Sequence, residues 1–120
     1  MVPGSPDQIF TYEFDFICAT PNNFLQFVRW DGSQGTFTAL GSSINIPDTQ
    51  DGDVFRCRAT GPQGNVVLTA WRNDVLIGSF NDTDATLSIG SGRPGMGFEY
   101  RSTPDAGLEV GFKRYEAYNL

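Results

Sequence analysis

The chain contains no histidine, and that absence removes more chemistry than any other single fact. Histidine is the usual general base near neutral pH and the commonest transition-metal ligand, so Ser-His-Asp and Cys-His catalysis are both excluded. Cysteine is nearly absent as well. Cys18 and Cys57 are the two present, with no partner residues at zinc spacing around them. They read as two buried thiols, with a disulfide the alternative in an oxidising compartment. Charge is sparse at 18% of residues and basic charge sparser still, with 8 Lys and Arg against 14 Asp and Glu and a net charge of −6. This balance argues against general binding to a phosphate backbone and against attraction to an anionic membrane surface. No apolar run approaches the roughly 20 residues of a bilayer-spanning helix. The opening Met1-Val2-Pro3-Gly4-Ser5-Pro6 has neither the basic start nor the apolar stretch of a signal peptide. No stretch of ten residues carries a helical period.

What is present is a succession of strand patterns in 120 residues, a length for one core. With 14 Gly, 7 Pro and 13% aromatic residues, the composition fits strands joined by many turns. Residues 9–18 alternate, with Phe10, Tyr12, Phe14, Phe16 and Cys18 on one face and Thr11, Glu13 and Asp15 on the other. Residues 24–30 and 36–40 read as a hairpin around Asp31-Gly32-Ser33-Gln34-Gly35. Residues 54–60 form a further strand with Phe55, Cys57 and Ala59 opposed to Val54, Arg56 and Arg58. Residues 65–71 and 75–80 form a hairpin whose tip is Arg72-Asn73-Asp74. A short segment at 85–89 lies between two loops, and strands are expected at Met96–Arg101 and Leu108–Tyr118. Residues 1–8 read as a flexible N-terminal segment and 9–120 as one domain. Eight or so antiparallel strands at this spacing predict an all-β sandwich or jelly roll.

The order Asp53-Val54-Phe55-Arg56-Cys57-Arg58, then Val66–Leu76, then Asp82-Thr83-Asp84, then Ser91-Gly92-Arg93-Pro94-Gly95-Met96-Gly97-Phe98 resembles the concanavalin A-like (laminin G-like) jelly rolls. The hairpin around Asn23–Gly32 is similar to the strand pair that precedes this stretch in that family. The resemblance covers residues 9–118. It departs at the hairpin tip, where Asn73-Asp74 stands in place of the usual Asn-Gly and leaves the turn type open. Such domains are longer, and the chain resembles mainly their C-terminal half, so the expected fold is a truncated concanavalin A-like sandwich. Open strand edges and a half-covered apolar face invite pairing with another copy. A homodimer or larger homo-oligomer is therefore expected. An extracellular, virion or cell-surface location is what the resemblance implies.

Each candidate site has a bland reading beside it. The family's glucanases carry a Glu-x-Asp-x-x-Glu strand, and Glu13-Phe14-Asp15 matches its start. Cys18 stands where the second catalytic Glu would be, so the acid/base is missing and no enzyme is expected. Glu13 and Asp15 read instead as surface ion pairs with Arg56 and Arg58 across a sheet. Trp30 with Asp31, and Trp71 with Arg72, Asn73 and Asp74, sit at hairpin ends where ligands bind. They are the candidate carbohydrate-binding residues, the alternative being that the indoles are simply core. The acidic loops 48–53 and 81–84 hold enough oxygens for calcium but lack the EF-hand pattern, so they read as solvated turns and no cofactor is expected. Asn81-Asp82-Thr83 has the form of a glycosylation acceptor. Gly90–Gly97 lacks the Lys-Ser/Thr of a phosphate loop. Arg56, Arg58 and Arg101 read as outward partners of carboxylates such as Glu99 and Glu109, with a carboxylated-sugar site the sharper alternative. The reading is thus a non-enzymatic β-sandwich module that binds an oligo- or polysaccharide or mediates assembly, with a structural virion or cell-surface role as the alternative and a glycoside hydrolase a remote third.

Overall fold

The computed structural model describes residues 8–18, 22–33, 35–96 and 114–118. Six strands account for its regular structure: β1 Gln8–Ile17, β2 Phe24–Ser33, β3 Phe37–Asn45, β4 Phe55–Thr60, β5 Val66–Arg72 and β6 Val75–Asp82. They form two three-stranded antiparallel sheets, β1-β2-β3 and β4-β5-β6. No helix occurs among the described residues.

The alternation of β1 is what orients the first sheet. Tyr12 lies opposite Arg29, Phe14 opposite Phe27 and Phe16 opposite Leu25. Leu25 and Phe27 in turn face Ile44 and Leu40 of β3, with a register shift between them. One face of this sheet is therefore apolar. In the second sheet Leu68 pairs with Phe80 and Ala70 with Gly78. Leu25, Phe27, Leu40, Val66, Leu68 and Ala70 make one buried cluster drawn from both sheets, with Tyr12, Phe14, Phe16, Ile44, Ile77 and Phe80 packed against it. Two pleated sheets sharing one apolar layer is a sandwich-like arrangement. Gly78 of β6 lies against Ile44 of β3, and a β-carbon there would run into the Ile44 side chain.

Three expectations are corrected. Strand β2 continues through Asp31, Gly32 and Ser33, and β3 runs on to Asn45; a Gly-Ser-Ser sequence carries no strand signal, but pairing of Leu25 with Ile44 and Phe24 with Asn45 extends the ladder. The two cysteines form no disulfide and are exposed as residues, although burial on one side pushes the Cys57 thiol up to about 12. Cys57 and Ala59 lie on the same side of their sheet as Ala70 and Leu68, their register partners, yet both are exposed. The reason is position. β4 is an outer strand, where Phe55 meets Phe16 of β1 with ring centroids 4.6 Å apart. Finally, Glu13 and Asp15 do not face Arg56 and Arg58. They belong to different sheets, each on the side away from the shared core, so the molecule separates them.

Within the short segment 85–89, residues 85–87 form a turn. Asp84 closes it by accepting from the amides of Thr86 and Leu87 at 2.9 and 2.8 Å. Of the expected strands at Met96–Arg101 and Leu108–Tyr118, Met96 and Arg114–Tyr118 are described and are not in strands. The rest of both, including Glu99, Arg101 and Glu109, lies outside the described residues, as does most of the N-terminal segment.

Candidate functional site

The six candidate residues fall in three separate places. Trp30 lies on the outward face of β1-β2-β3. It is opposite Thr11 in β1 and Phe37 in β3, and its ring meets that of Phe37 with centroids 5.4 Å apart and planes inclined by 51°. The indole nitrogen donates to Glu13 Oε2 at 2.6 Å, which fixes the ring's orientation. Glu13, Asp15, Val28, Trp30 and Phe37 line a shallow open depression. Strand alternation produces this grouping. Glu13 and Asp15 are the polar half of the β1 pattern, and the antiparallel register sets Val28 and Trp30 beside them. Phe37 is 54% exposed.

Asp31 has a different setting. It follows Arg29, which is 5% exposed and points toward the shared core. Arg29 Nε donates to Asp31 Oδ1 at 2.5 Å and Nη1 to Asp82 Oδ2 at 2.7 Å, while Nη2 lies 3.5 Å from Asp84. Thr38 Oγ1 donates to the other Asp31 oxygen at 2.5 Å. Tyr12 completes the cluster, donating to Asp82 at 2.7 Å and accepting from the Ile89 amide at 3.0 Å. A charge this buried is tolerated only when paired and fully hydrogen-bonded. The cluster bridges the sheets, since Tyr12, Arg29 and Asp31 belong to one and Asp82 to the other. Burial opposes the charge on Asp82, but hydrogen bonds from Arg29, Tyr12 and the Asp84 amide outweigh it and hold its carboxyl below the usual range. Burial, helped by the adjacent Asp82, pushes the Tyr12 phenol up to about 12.

Trp71 lies on the outward face of β4-β5-β6, on the far side of the molecule from Trp30. Arg56 is its register partner. The Arg56 and Arg58 guanidiniums lie over its ring, 4.3 and 5.1 Å from the centroid. Arg72, one residue on, faces the other way. Its Nε lies 3.0 Å from Asp53, and it donates to the Pro47 and Asp48 carbonyls at 2.6 and 2.5 Å. Asn73 and Asp74 both have positive φ, 51° and 63°, which identifies a two-residue turn of the primed type suited to a hairpin and answers the turn question left by the absent glycine. Asn73 Oδ1 accepts the Val54 amide at 2.9 Å and Nδ2 donates to Asp53 at 2.8 Å. With the Gln50 amide, Asn73 and Arg72 all donating to it, the Asp53 carboxyl is lowered to about 2. Arg72 and Asn73 are thereby committed to holding the 47–54 loop.

The acidic loops have the same character. Asn23 donates to Asp48, Arg72 holds Asp53 and Arg29 holds Asp82. Among the described residues no group of His, Cys, Asp and Glu is arranged to hold a metal ion.

Two features were not legible one residue at a time. Phe37 becomes part of the Trp30 face only when the hairpin register is known. Arg29 occupies a position of the Leu25-Phe27-Arg29 alternation that should be apolar; that break in the pattern, with two aspartates at Asp82-Thr83-Asp84, is the signal for a buried ion cluster. No family model, curated protein or solved structure matches the chain.

Proposed function

We propose that the protein is a non-catalytic carbohydrate-binding module built on a truncated, concanavalin A-like jelly roll. The observation that carries this reading is the Trp30–Phe37 pair beside Glu13 and Asp15 in a shallow depression on the outward side of β1-β2-β3. A pyranose ring has an apolar face and a polar rim. An oriented aromatic surface next to carboxylate acceptors meets both, through stacking and through hydrogen bonds to hydroxyls. The Glu13 hydrogen bond supports it further, because a ring already held in place loses less freedom when a ligand docks. The ligand this face suits is neutral, since the charged groups lining it among the described residues, Glu13 and Asp15, are carboxylates. Catalysis is not part of the reading: the glucanase-like strand ends at Cys18, whose sulfur lies 3.5 Å from the Thr49 hydroxyl. The test is titration with neutral oligosaccharides. Saturable binding that Phe37→Ala abolishes supports the reading, and silence toward every neutral oligosaccharide contradicts it.

A second reading, assembly through self-association, is favoured by one further observation. Val54, Val75 and Leu76 are 65%, 70% and 58% exposed, and they lie at the same end of β4-β5-β6, where the Asn73 amide donates to the Val54 carbonyl. Exposed apolar residues grouped in this way mark contact surfaces. Light scattering across a concentration range tests it: a homodimer dispersed by Leu76→Asp supports assembly, and a monomer at all concentrations opposes it.

A further inference from the structure

The outward face of β4-β5-β6 carries a second group of residues that the Trp30 face does not use. Arg56 and Arg58 stand at alternate positions of one strand, and both guanidiniums rest over the Trp71 ring. Each is attracted to the indole ring, and both arginines remain exposed to solvent. Two like charges over one ring also repel, and little nearby offsets them. Arg58 has no carboxylate partner among the described residues, and Arg56 has Asp74 at 3.6 Å in an ion pair whose side chains are 57% and 91% exposed, an arrangement of negligible strength. Arg29, by contrast, is held by aspartates, and Arg72 by Asp53 and the Pro47 and Asp48 carbonyls. Next in the same face are Thr69, the register partner of Arg58, and Ser79, whose hydroxyl lies 3.5 Å from that of Thr69.

We infer that Arg56, Arg58 and Trp71 form an anion-selective subsite for the carboxylate of an acidic oligosaccharide, a uronate. A planar carboxylate matches the edge of a guanidinium through paired, charge-assisted hydrogen bonds. Bound by the two arginines, it neutralises their mutual repulsion, and the exposed Ser79 hydroxyl lies on the same face to meet a sugar hydroxyl. The net charge of −6 restricts this to a local site, since an extended polyanion would be repelled by the rest of the surface. The choice of a saccharide as the carrier of the anion rests on the carbohydrate-binding reading above; the anion selectivity does not.

The test uses the full chain with Trp30→Phe, which leaves Trp71 as the sole indole because the sequence has two tryptophans. Its fluorescence is titrated with trigalacturonate, with the fully methyl-esterified trisaccharide, and with an oligo-aspartate peptide. The expected result is a saturable change with trigalacturonate, none with the ester, binding weakened about tenfold or more by Arg58→Ala, and partial retention in Arg58→Lys. Arg58 is exposed, so an unchanged urea midpoint verifies that the variant is folded. Equal response to the ester, unaltered binding by Arg58→Ala, or tighter binding of the peptide overturns the proposal. Neutral oligosaccharides titrated into the unsubstituted chain separate the two readings: trigalacturonate binding without neutral binding removes the Trp30 site alone, neutral binding without trigalacturonate binding removes this subsite alone, and no binding of either removes both.

Discussion

Arg29 shows what a single residue does in this molecule. It is a full charge on the apolar side of β2, and it is stable there because Asp31, Asp82 and Asp84 surround it. Removing it leaves buried carboxylates without their counter-charge, which is the costly way to break such a cluster. Arg29→Met is expected to lower stability by about 3–5 kcal/mol in urea denaturation followed on the tryptophans, and Arg29→Lys to rescue only part of it, because one ammonium cannot reproduce the fork of contacts. The same cluster sets the pH response. Asp82 and Asp84 titrate below the ordinary carboxylate range, Asp84 chiefly because the Leu87 and Thr86 amides donate to it, and Asp53 is lowered to about 2. In acid the unfolded chain takes up protons first. The stability these groups contribute is therefore complete above pH about 4 and is lost as pH falls toward about 2. At the other extreme the folded state keeps Tyr12 neutral up to about 12, whereas an unfolded tyrosine ionises near 10, so stability is also expected to fall across that alkaline interval. Urea midpoints measured from acid to alkali check both limbs; a midpoint that does not fall on acidification counts against the carboxylate assignments.

At the scale of elements, the β5–β6 hairpin is set by its turn. Asn and Asp tolerate the left-handed conformation that both tip residues adopt. Asp74→Gly, which restores the usual turn chemistry, is expected to be neutral or stabilising by about 0.5 kcal/mol, and Asp74→Val to cost about 1–2 kcal/mol. Gly61 is a second such point, with φ +116° and no room for a β-carbon beside the Asn65 carbonyl. Gly61→Ala is expected to lower stability by about 2 kcal/mol; a wild-type urea midpoint would refute that. The strands themselves were largely legible, because Tyr12-Phe14-Phe16 and Leu25-Phe27 repeat every second residue and nothing else in the chain competes with that period. The second half of β3 was not. Gly41-Ser42-Ser43 has no intrinsic strand preference and occupies the register shift between Leu40 and Ile44, with Gly41 at φ 74°; the ladder resumes beyond it only because Ile44 and Asn45 pair with Leu25 and Phe24. Cys57 and Ala59 failed for a related reason: alternation tells which side of a strand a residue takes, but not whether anything covers that side.

At the scale of the molecule, the sandwich creates two outward faces of opposite character. One carries carboxylates and the Trp30–Phe37 pair, the other arginines and Trp71. The sequence names both tryptophans, yet their separation depends on which sheet each strand joins, a long-range property that no local pattern encodes. The same assignment removes Asp31, Arg72 and Asn73 to the framework and brings in Phe37, Arg56 and Arg58. The central claim is that the Trp30 face binds a neutral sugar, and an amide-detected NMR titration with neutral oligosaccharides tests it most directly. Saturable shifts are expected, centred on β1, β2 and β3 around Glu13, Trp30 and Phe37, and abolished in Phe37→Ala while the urea midpoint is unchanged. The absence of saturable shifts with any neutral oligosaccharide, or shifts of equal size in Phe37→Ala, would contradict it.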